Sequence, residues 1–306
     1  TSKAIFCGEK MQALSRGESR KPKSVLAWLD THCAPPDIVF IALPPMGRGE
    51  ASCAYALHYL KLGIPVVFAD KRGLAFNASK LAPHYDLIGM NAAVGGNSRI
   101  IANALARSVD RESVLLEMVI NGTMNFVLTN MQEEGETFAK AMWIAGKLGY
   151  AEPDDGKGDG PFKGFLGELT GDIPSKVAAF HNRVCCHPSG RFITPDDVQV
   201  RAFTEHDFKR IADGATRHRY LVQMTNAQNG LRFDGKAPGS FFLRSGPWSI
   251  CGGFVNLPKG TPDGDWVPNG VRNGMRINYT DGHNSAVVIE AAGAGAGPTT
   301  DTMFQD

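Results

Sequence analysis

Residues 37–69 read DIVFIALPPMGRGEASCAYALHYLKLGIPVVFA and contain the pattern that decides the fold. Asp37–Leu43 and Ile64–Ala69 are continuous apolar runs rich in β-branched residues, which is typical of strands buried on both faces. Between them, Glu50–Leu62 has the apolar spacing of a helix, and Gly63 follows where a glycine cap belongs. A strand, a helix and a strand in this order predict a βαβ unit and therefore a parallel sheet.

Downstream of residue 220 the pattern changes to short strands separated by turn residues. Four strand-like runs occur there: Tyr220–Met224, Gly253–Leu257, Met275–Tyr279 and Ala286–Ala291. The glycine, asparagine, aspartate and proline residues between these runs predict an antiparallel sheet of hairpins. Helical spacing occurs between the two strand-rich parts, in Asn125–Glu133 and Glu136–Leu148. The sequence therefore predicts a parallel α/β part followed by an α+β part.

Local patterns give further expectations about single elements. Tyr85–Met90 and Ala92–Val94 are expected to add strands at the edge of the parallel sheet. Phe162–Phe180 is expected to form a helix that is interrupted near Gly171 and Pro174. The reason is that proline lacks the backbone N–H that a helix interior uses.

The composition is that of an ordinary soluble globular chain. The 306 residues are 43% hydrophobic and 21% charged, which suits one large or two medium domains. A formal net charge of +1 argues against nucleic acid or a membrane surface as the main partner. No apolar run approaches the roughly 20 residues that span a bilayer.

The six cysteines are scattered without a C-x-x-C pair, which favours reduced thiols in the cytoplasm. Thr1 stands where a Met would begin a gene product, so we expect a processed, trimmed or engineered start at which an organelle-targeting segment could be lost. His181, Cys185, Cys186 and His187 cluster in the sequence, but their spacing matches no standard zinc pattern. A loop with incidental thiols is the favoured interpretation of this cluster, and a metal site is the alternative.

Charged side chains crowd the loop after the helix Glu136–Leu148. Within 12 positions this loop carries Glu152, Asp154, Asp155, Asp159 and Lys163. Asp159 and Lys163 have i,i+4 spacing, so on a helix they share one face. A carboxylate there could hold a substrate ammonium while the lysine handles a hydroxyl proton. The alternative is a surface salt bridge on a solvated face.

Two other segments carry residue types that suit a site. Lys71 lies just past the end of a buried parallel strand, where open α/β sheets bind ligands, and it could donate a proton to a developing alkoxide. Asn121, Gly122 and Thr123 form a turn with Thr123 as the candidate N-cap, and free N–H groups at such a helix start attract anions. The alternatives are a solvated loop lysine and a plain turn.

Glycine-rich segments could border a dinucleotide. Gly95-Gly96 is one of them, and the run GAGAG at residues 293–297 is the other. The run is a weak fingerprint, because it lies near the end of this sequence instead of opening a βαβ unit. A turn at the end of a strand is the alternative for this run.

Together these segments resemble the homoserine dehydrogenases. The family's patterns are matched in family order by VVFADK at Val66–Lys71, VGGNSR at Val94–Arg99, NGTMNFVL at Asn121–Leu128, LGYAEPD at Leu148–Asp154 and GAGAG at Gly293–Gly297. A downstream Asp-x-x-x-Lys pattern is matched by Asp159 and Lys163. The pair NGTMNFVL and LGYAEPD is a specific signal that covers the central part of the chain.

The resemblance implies an enzyme that interconverts aspartate 4-semialdehyde and homoserine with NAD(P)H. It implies catalytic roles for Lys71 and Lys163. The substrate-binding residues that it implies are Asn121, Gly122, Thr123, Tyr150, Glu152 and Asp159. The cofactor-binding residues that it implies are Ala69, Lys71, Gly95, Gly96, Gly295 and Gly297. A sodium or potassium ion would bind the backbone carbonyls of Asn91, Val94 and Gly96.

The resemblance also implies the architecture. Residues 1–98 with 292–306 would form a Rossmann-type nucleotide-binding domain, incomplete at its N-terminus, and residues 99–291 an α+β domain for substrate binding and dimerisation. The expected cofactor is NADP or NAD, and the expected assembly is a cytoplasmic homodimer. Nothing in the sequence separates NAD from NADP, although Arg16, Arg20 and Lys21 lie where a ribose 2′-phosphate could be met.

Several positions depart from the family pattern. No G-x-G-x-x-G segment occurs near the N-terminus, where Thr1–Met11 reads as the second strand of the fold. Asp70 replaces the family's asparagine before the lysine, and Arg99 replaces its proline after the glycine cluster. Two other functions therefore stay open. One is a non-catalytic paralogue that binds an amino acid or a protein partner, and the other is a dehydrogenase of another small hydroxy acid.

Overall fold

The protein is described by a computed structural model over residues 22–43, 47–108, 113–151, 160–186, 191–212, 216–226, 231, 233–279, 284–292 and 295–306. The helices of these ranges are α1 (Pro22–His32), α2 (Glu50–Leu60), α3 (Lys71–Phe76), α4 (Ala78–Leu81), α5 (Ile100–Ser108), α6 (Gly122–Glu133), α7 (Phe138–Lys147), α8 (Gly160–Gly167), α9 (Ile173–Phe180), α10 (Glu205–Ala212), α11 (Pro262–Asp265) and α12 (Ala296–Gln305). Short 3-10 turns occur at Ala82–Leu87, Gly96–Ser98 and Pro195–Asp197.

The first sheet is parallel and has the strand order β1 (Val39–Ile41), β2 (Val66–Phe68) and β3 (Ile88–Gly89). The strand β2 is fully buried because it lies in the middle and both of its faces are covered. The predicted βαβ unit is thereby confirmed, with α2 as the crossover helix. Gly63 follows this helix with φ of +75°, as a glycine cap requires.

The second sheet has six strands and is antiparallel throughout. In chain order its strands are β4 (Ser113–Val119), β5 (His218–Thr225), β6 (Phe241–Ser245), β7 (Trp248–Asn256), β8 (Arg272–Tyr279) and β9 (Asn284–Ala292). Their order in space is β6-β7-β5-β4-β8-β9. The antiparallel sheet predicted from the four downstream runs is confirmed, and the mixed α/β class with it.

Two local strand predictions are wrong or too long. Ala92–Val94 forms a tight turn, in which the Val94 N–H donates to the Asn91 carbonyl at 3.1 Å. Within Tyr85–Met90 only Ile88 and Gly89 are in a strand, because the preceding residues form the 3-10 helix Ala82–Leu87 with a proline in its first turn. Turn formation at both places leaves β3 only two residues long.

The chain stays helical from Gly160 to Cys185, although an interruption was expected near Gly171 and Pro174. A π-helical turn spans Glu168–Asp172, and its wider hydrogen bond runs from the Ile173 N–H to the Glu168 carbonyl. Pro174 comes directly after it. A proline inside a helix lacks a donor and clashes with the preceding turn, and the wider π turn accommodates both defects. A second π turn, His181–Cys185, ends the helical stretch.

One apolar cluster joins the two sheets. It includes Phe68 of β2, Met118 of β4 and Phe180 of α9, each fully buried. α9 also packs directly against α3 of the parallel part. The carboxyl end of the parallel sheet is therefore covered by helices that belong to the second part of the chain. Within the described ranges, no helix combines the length and apolar character needed to cross a membrane.

We predict that Gly49→Ala destabilises the fold more than Gly63→Ala. Both glycines have positive φ, +69° and +75°, so each substitution adds a similar backbone strain of about 1 kcal/mol. A Cβ on Gly49 would lie 2.4 Å from the Gly73 nitrogen, whereas a Cβ on Gly63 would meet nothing within 4 Å. Overpacking should therefore add about 1–3 kcal/mol at Gly49 alone.

Urea denaturation of both variants measures this difference in the free energy of unfolding. Equal losses at the two positions would contradict the close contact between the start of α2 and the first turn of α3.

Candidate active site

A cavity of about 160 Å³ lies where the carboxyl end of the parallel sheet meets α9 and its preceding π turn. It is lined by Ala69, Lys71, Ala92, Ala93, Gly95, Gly96, Thr123, Tyr150, Glu168, Asp172, Lys176, Gly295 and Thr299. The lining combines charged side chains with alanine and glycine residues, and we call these two sets the charged wall and the wall of small residues. This is the end of the sheet at which open α/β folds bind ligands.

Lys71 reaches this cavity because its backbone is fixed by the residue before it. Lys71 is the first residue of α3, and Asp70 is the N-cap. The Asp70 carboxylate accepts hydrogen bonds from the N–H groups of Arg72 at 2.9 Å and Gly73 at 3.3 Å. The same carboxylate accepts a hydrogen bond from the buried Ser52 hydroxyl. The start of α3 is thus held in one position relative to α2.

Asp172 binds two lysines at once. One carboxylate oxygen pairs with the ammonium of Lys71, and the other pairs with that of Lys176 at 2.9 Å. Asp172 and Lys176 are spaced i,i+4 and share one helix face. The side chains of Asp172 and Lys176 are only 10% and 9% exposed, and that of Lys71 is 22% exposed. The ion pair with Lys71 therefore joins α3 to the helix around Asp172 inside the protein.

Asn121 brings a second carboxylate next to Asp172. Its amide nitrogen donates to Glu168 Oε2 at 2.6 Å and to Asp172 Oδ2 at 2.7 Å. Its amide oxygen accepts from the Met124 N–H at 2.7 Å, so Asn121 is the N-cap of α6. Thr123, the expected cap, instead donates its hydroxyl proton to the Tyr150 carbonyl at 2.6 Å. All the hydrogen-bonding groups of the Asn121 amide are used.

The two carboxyl groups differ in their ionisation. Burial and the nearby Asp172 carboxylate together raise the pKa of Glu168 to about 7, although Lys176, Asn121 and Lys71 oppose the rise. Burial alone would raise the pKa of Asp172 too, but the ammonium groups of Lys176 and Lys71 outweigh it and lower that pKa below its usual range. Asp172 is therefore charged at neutral pH, whereas Glu168 titrates there. Carboxyl groups with pKa values pushed apart are typical of sites that bind charge and transfer protons.

The wall of small residues has no side chain larger than a methyl group. It is formed by Ala69, Ala92, Ala93, Gly95, Gly96 and Gly295. Gly95 has φ of +96°, and a Cβ there would lie 2.6 Å from the Ser98 hydroxyl oxygen. Small residues let a flat ring approach the backbone closely, so this wall fits a nicotinamide group.

Seven of the residues expected from the sequence line this cavity together: Ala69, Lys71, Thr123, Tyr150, Gly95, Gly96 and Gly295. Asn121 lies behind the charged wall and holds both carboxylates. Gly122 is the buried first residue of α6, and Gly297 is exposed in the first turn of α12. Neither Gly122 nor Gly297 is among the described residues that line the cavity.

Lys163 lies elsewhere than expected. It is an exposed residue of α8 and is not among the lining residues. Glu152 and Asp159, with Asp154 and Asp155, fall outside the described residues. At the cavity the Asp-x-x-x-Lys pattern is provided by Asp172 and Lys176, which have the same spacing as Asp159 and Lys163.

Sequence reasoning missed Glu168, Asp172 and Lys176. A signal for Lys176 existed, because Ile173–Phe180 (IPSKVAAF) contains no other charged residue. A lysine in such an apolar helix needs a buried partner, and Asp172 lies four residues before it.

The residues expected to bind a cation lie in the turn after β3. The Asn91 carbonyl accepts from the Val94 N–H, and the Gly96 carbonyl accepts from the Arg99 N–H, both at 3.1 Å. The cation itself stays a prediction.

In the described part of the chain, no cluster of three histidine, cysteine, aspartate or glutamate residues is arranged to hold a metal. Cys185 is buried, and burial raises the pKa of its thiol, while His187 lies outside the described residues.

A family model, described as homoserine dehydrogenase, matches residues 100–158 of this chain. This match includes α6 with its Asn121 cap and ends two positions before the first residue of α8. It covers less of the chain than the relatives and solved structures that follow.

Two curated relatives extend the sequence match. The homoserine dehydrogenase of Lactococcus lactis is 27% identical over 314 aligned positions, covering 100% of this chain and 64% of the relative. That of Mycobacterium bovis is 33% identical over 173 positions, covering 55% of this chain and 36% of the relative. The chain thus spans less than two thirds of the length of either relative.

Solved structures share the fold. A homoserine dehydrogenase from Thermoplasma acidophilum superposes with a TM-score of 0.64 at 17% identity, covering 89% of this chain and 74% of that one. A hyperthermophilic archaeal homoserine dehydrogenase in complex with NADPH superposes with a TM-score of 0.59 at 20% identity. The superposition covers 94% of this chain and 73% of that one. The chain is thus similar in sequence to homoserine dehydrogenases, most specifically over residues 100–158, and shares their fold.

Proposed function

We propose that this chain catalyses the NAD(P)-dependent interconversion of aspartate 4-semialdehyde and homoserine. The observation that carries the proposal is the pairing of Lys71 and Lys176 with one buried carboxylate, Asp172, at the edge of the cavity. Both lysines are kept in place near a small polar substrate. The wall of small residues lines the same cavity and suits a nicotinamide ring.

The charged wall would bind and orient the substrate. Homoserine and aspartate 4-semialdehyde each carry an ammonium group, and the Glu168 carboxylate is the group in the cavity that can accept its hydrogen bonds in the ionised form. Asp172 is already paired with two lysines, so its role would be to position them. Thr123 and Tyr150 complete the polar side of the cavity.

The lysines would move the proton of the reaction. In the direction of reduction, the aldehyde oxygen gains a negative charge and takes a proton from the ammonium of Lys71 or Lys176. In the direction of oxidation, a neutral lysine would remove the hydroxyl proton of homoserine. A bound nicotinamide dinucleotide would supply or accept the hydride at the carbonyl carbon. Ala69, Gly95, Gly96 and Gly295 are the lining residues that we assign to hold it.

We also propose a two-domain chain, a homodimer and a bound sodium or potassium ion, and each can be tested separately. The two-domain division at residues 98/99 and 291/292 can be tested by expressing residues 99–291 alone. The homodimer can be tested by sedimentation velocity. The sodium or potassium ion can be tested by measuring turnover in buffers that contain only bulky organic cations.

We predict saturable binding of NADPH with a dissociation constant below about 1 mM, the upper end of the usual range for enzyme ligands. Titration of NADPH fluorescence measures this binding, and oxidation of NADPH by aspartate 4-semialdehyde measures turnover. Absence of saturable binding would favour the non-catalytic paralogue. Binding with turnover of another hydroxy acid only would favour the other dehydrogenase.

We predict that Lys176→Met lowers kcat at least about a hundredfold, because a positioned proton donor contributes that much or more. Lys163→Met is the matched control, because Lys163 belongs to the other Asp-x-x-x-Lys pattern of the sequence and lies on the exposed surface of α8. Its kcat should stay within about twofold of wild type. Circular dichroism and NADPH titration check that both variants are folded. Loss of turnover in Lys163→Met with retention in Lys176→Met would reverse the assignment.

We predict that KM for homoserine rises as the pH falls through about 7. Burial raises the pKa of Glu168 to about 7, so below this pH the group is protonated and loses the charge that holds the substrate ammonium. Glu168→Gln should have a high KM that changes little between about pH 6 and pH 8. Glu134→Gln, at an exposed glutamate at the end of α6, should keep the wild-type profile. An unchanged profile in Glu168→Gln would exclude Glu168 as the titrating group.

A further inference from the structure

The turn between β3 and α5 forms much of the wall of small residues. Ala92, Ala93, Gly95 and Gly96 all line the cavity from this turn. The turn needs an unusual backbone, with positive φ at Gly95, Gly96 and the non-glycine residue Arg99. Such a backbone persists only when neighbouring groups hold it in place.

One side chain from α12 binds the start of this turn. The Asp306 carboxylate accepts three hydrogen bonds, from the Asn91 N–H at 2.9 Å, the Asn91 side-chain amide at 2.6 Å and the Ala92 N–H at 3.3 Å. The side-chain oxygen of Asn91 accepts from the Ala102 N–H at 2.9 Å, in the first turn of α5. Asn91 is 7% exposed and thus links Asp306 to the next helix inside the protein.

α12 also contacts the rest of the turn. The Thr302 hydroxyl donates to the Asn97 side-chain oxygen at 2.6 Å, and Met303 packs with Ala92 and Val67 in a small apolar cluster. The same helix contributes Thr299 to the cavity lining. The position of α12 therefore determines where the wall of small residues stands.

Gly89 allows Asp306 to come this close. A Cβ on Gly89 would lie 2.7 Å from Asp306 Cβ and 3.0 Å from a Val67 methyl carbon. The end of β3 thus has room for the Asp306 side chain only because residue 89 is glycine. A substitution that adds a Cβ at residue 89 would therefore displace Asp306 without changing Asp306 itself.

We infer that Asp306 is a positioning residue that sets the cofactor-facing wall of the cavity through Asn91 and Ala92. The inference rests on the proposed function, because the wall is assigned to the nicotinamide. Asp306 lies behind the wall and is not among the lining residues described, so its effect acts through the turn. It should change cofactor binding and leave the charged wall, with Glu168 and Asp172, as it is.

Asp306→Asn is the test variant, because it keeps the size of the side chain but replaces an acceptor oxygen with an amide that faces the donor of Asn91. We expect KM and the dissociation constant for NADPH to rise roughly tenfold, as small misplacements near a site can, with KM for homoserine unchanged. Asp301→Asn is the matched control, since Asp301 is exposed on the same helix. Gly89→Ala, which displaces Asp306 without altering it, should reproduce the cofactor effect.

The backbone amide NMR signals of Ala92, Ala93, Gly95 and Gly96 give a readout that needs no cofactor. They should shift in Asp306→Asn and stay in place in Asp301→Asn. An NADPH dissociation constant within about twofold of wild type, equal changes in both KM values, or unshifted amide signals would each overturn the inference. If wild type itself binds no NADPH, the proposed function fails, and the amide signals still decide whether Asp306 sets the turn.

Discussion

The buried carboxylate of Asp172, shared by Lys71 and Lys176, is the interaction on which the rest of the site depends. Taking three charged groups out of water is costly, and removing one partner of a buried pair typically destabilises a protein by about 3–5 kcal/mol. The cost is offset only when all partners are in place. Since Lys71 begins α3 and Asp172 ends a π turn, their pairing holds the parallel sheet and the helical layer of the second part of the chain in one arrangement.

The same cavity brings together two kinds of lining residue. The charged side chains come from the helices, and the alanine and glycine wall comes from the ends of β2 and β3 and the start of α12. A flat, apolar group and an ammonium-bearing group can thus meet with their reacting atoms close together. Asn121 keeps the charged side compact, because its amide hydrogens occupy one oxygen on each of the two carboxylates.

Much of this was accessible from the sequence, for identifiable reasons. A strand buried on both faces leaves a continuous apolar run, so the parallel βαβ unit that ends in β2 could be predicted, and with it the placement of Lys71. However, the sequence contains two i,i+4 aspartate–lysine pairs between residues 159 and 176, and spacing alone cannot distinguish them. Only the packing of α9 against α3 places Lys176 at the cavity and leaves Lys163 on the surface. The contact of Asp306 with Asn91 spans 215 positions and has no local signature.

The π turn at Glu168–Asp172 also sets a rotational phase. Each residue of an α-helix turns the following side chains by about 100°. The hydrogen bond of a π turn spans five residues instead of four, so the turn holds one extra residue while the helical segments on either side keep nearly the same phase. The extra residue is thus absorbed at the point where Glu168 and Asp172 meet Asn121, and a one-residue difference in chain length here can be carried by the fold without displacing α9.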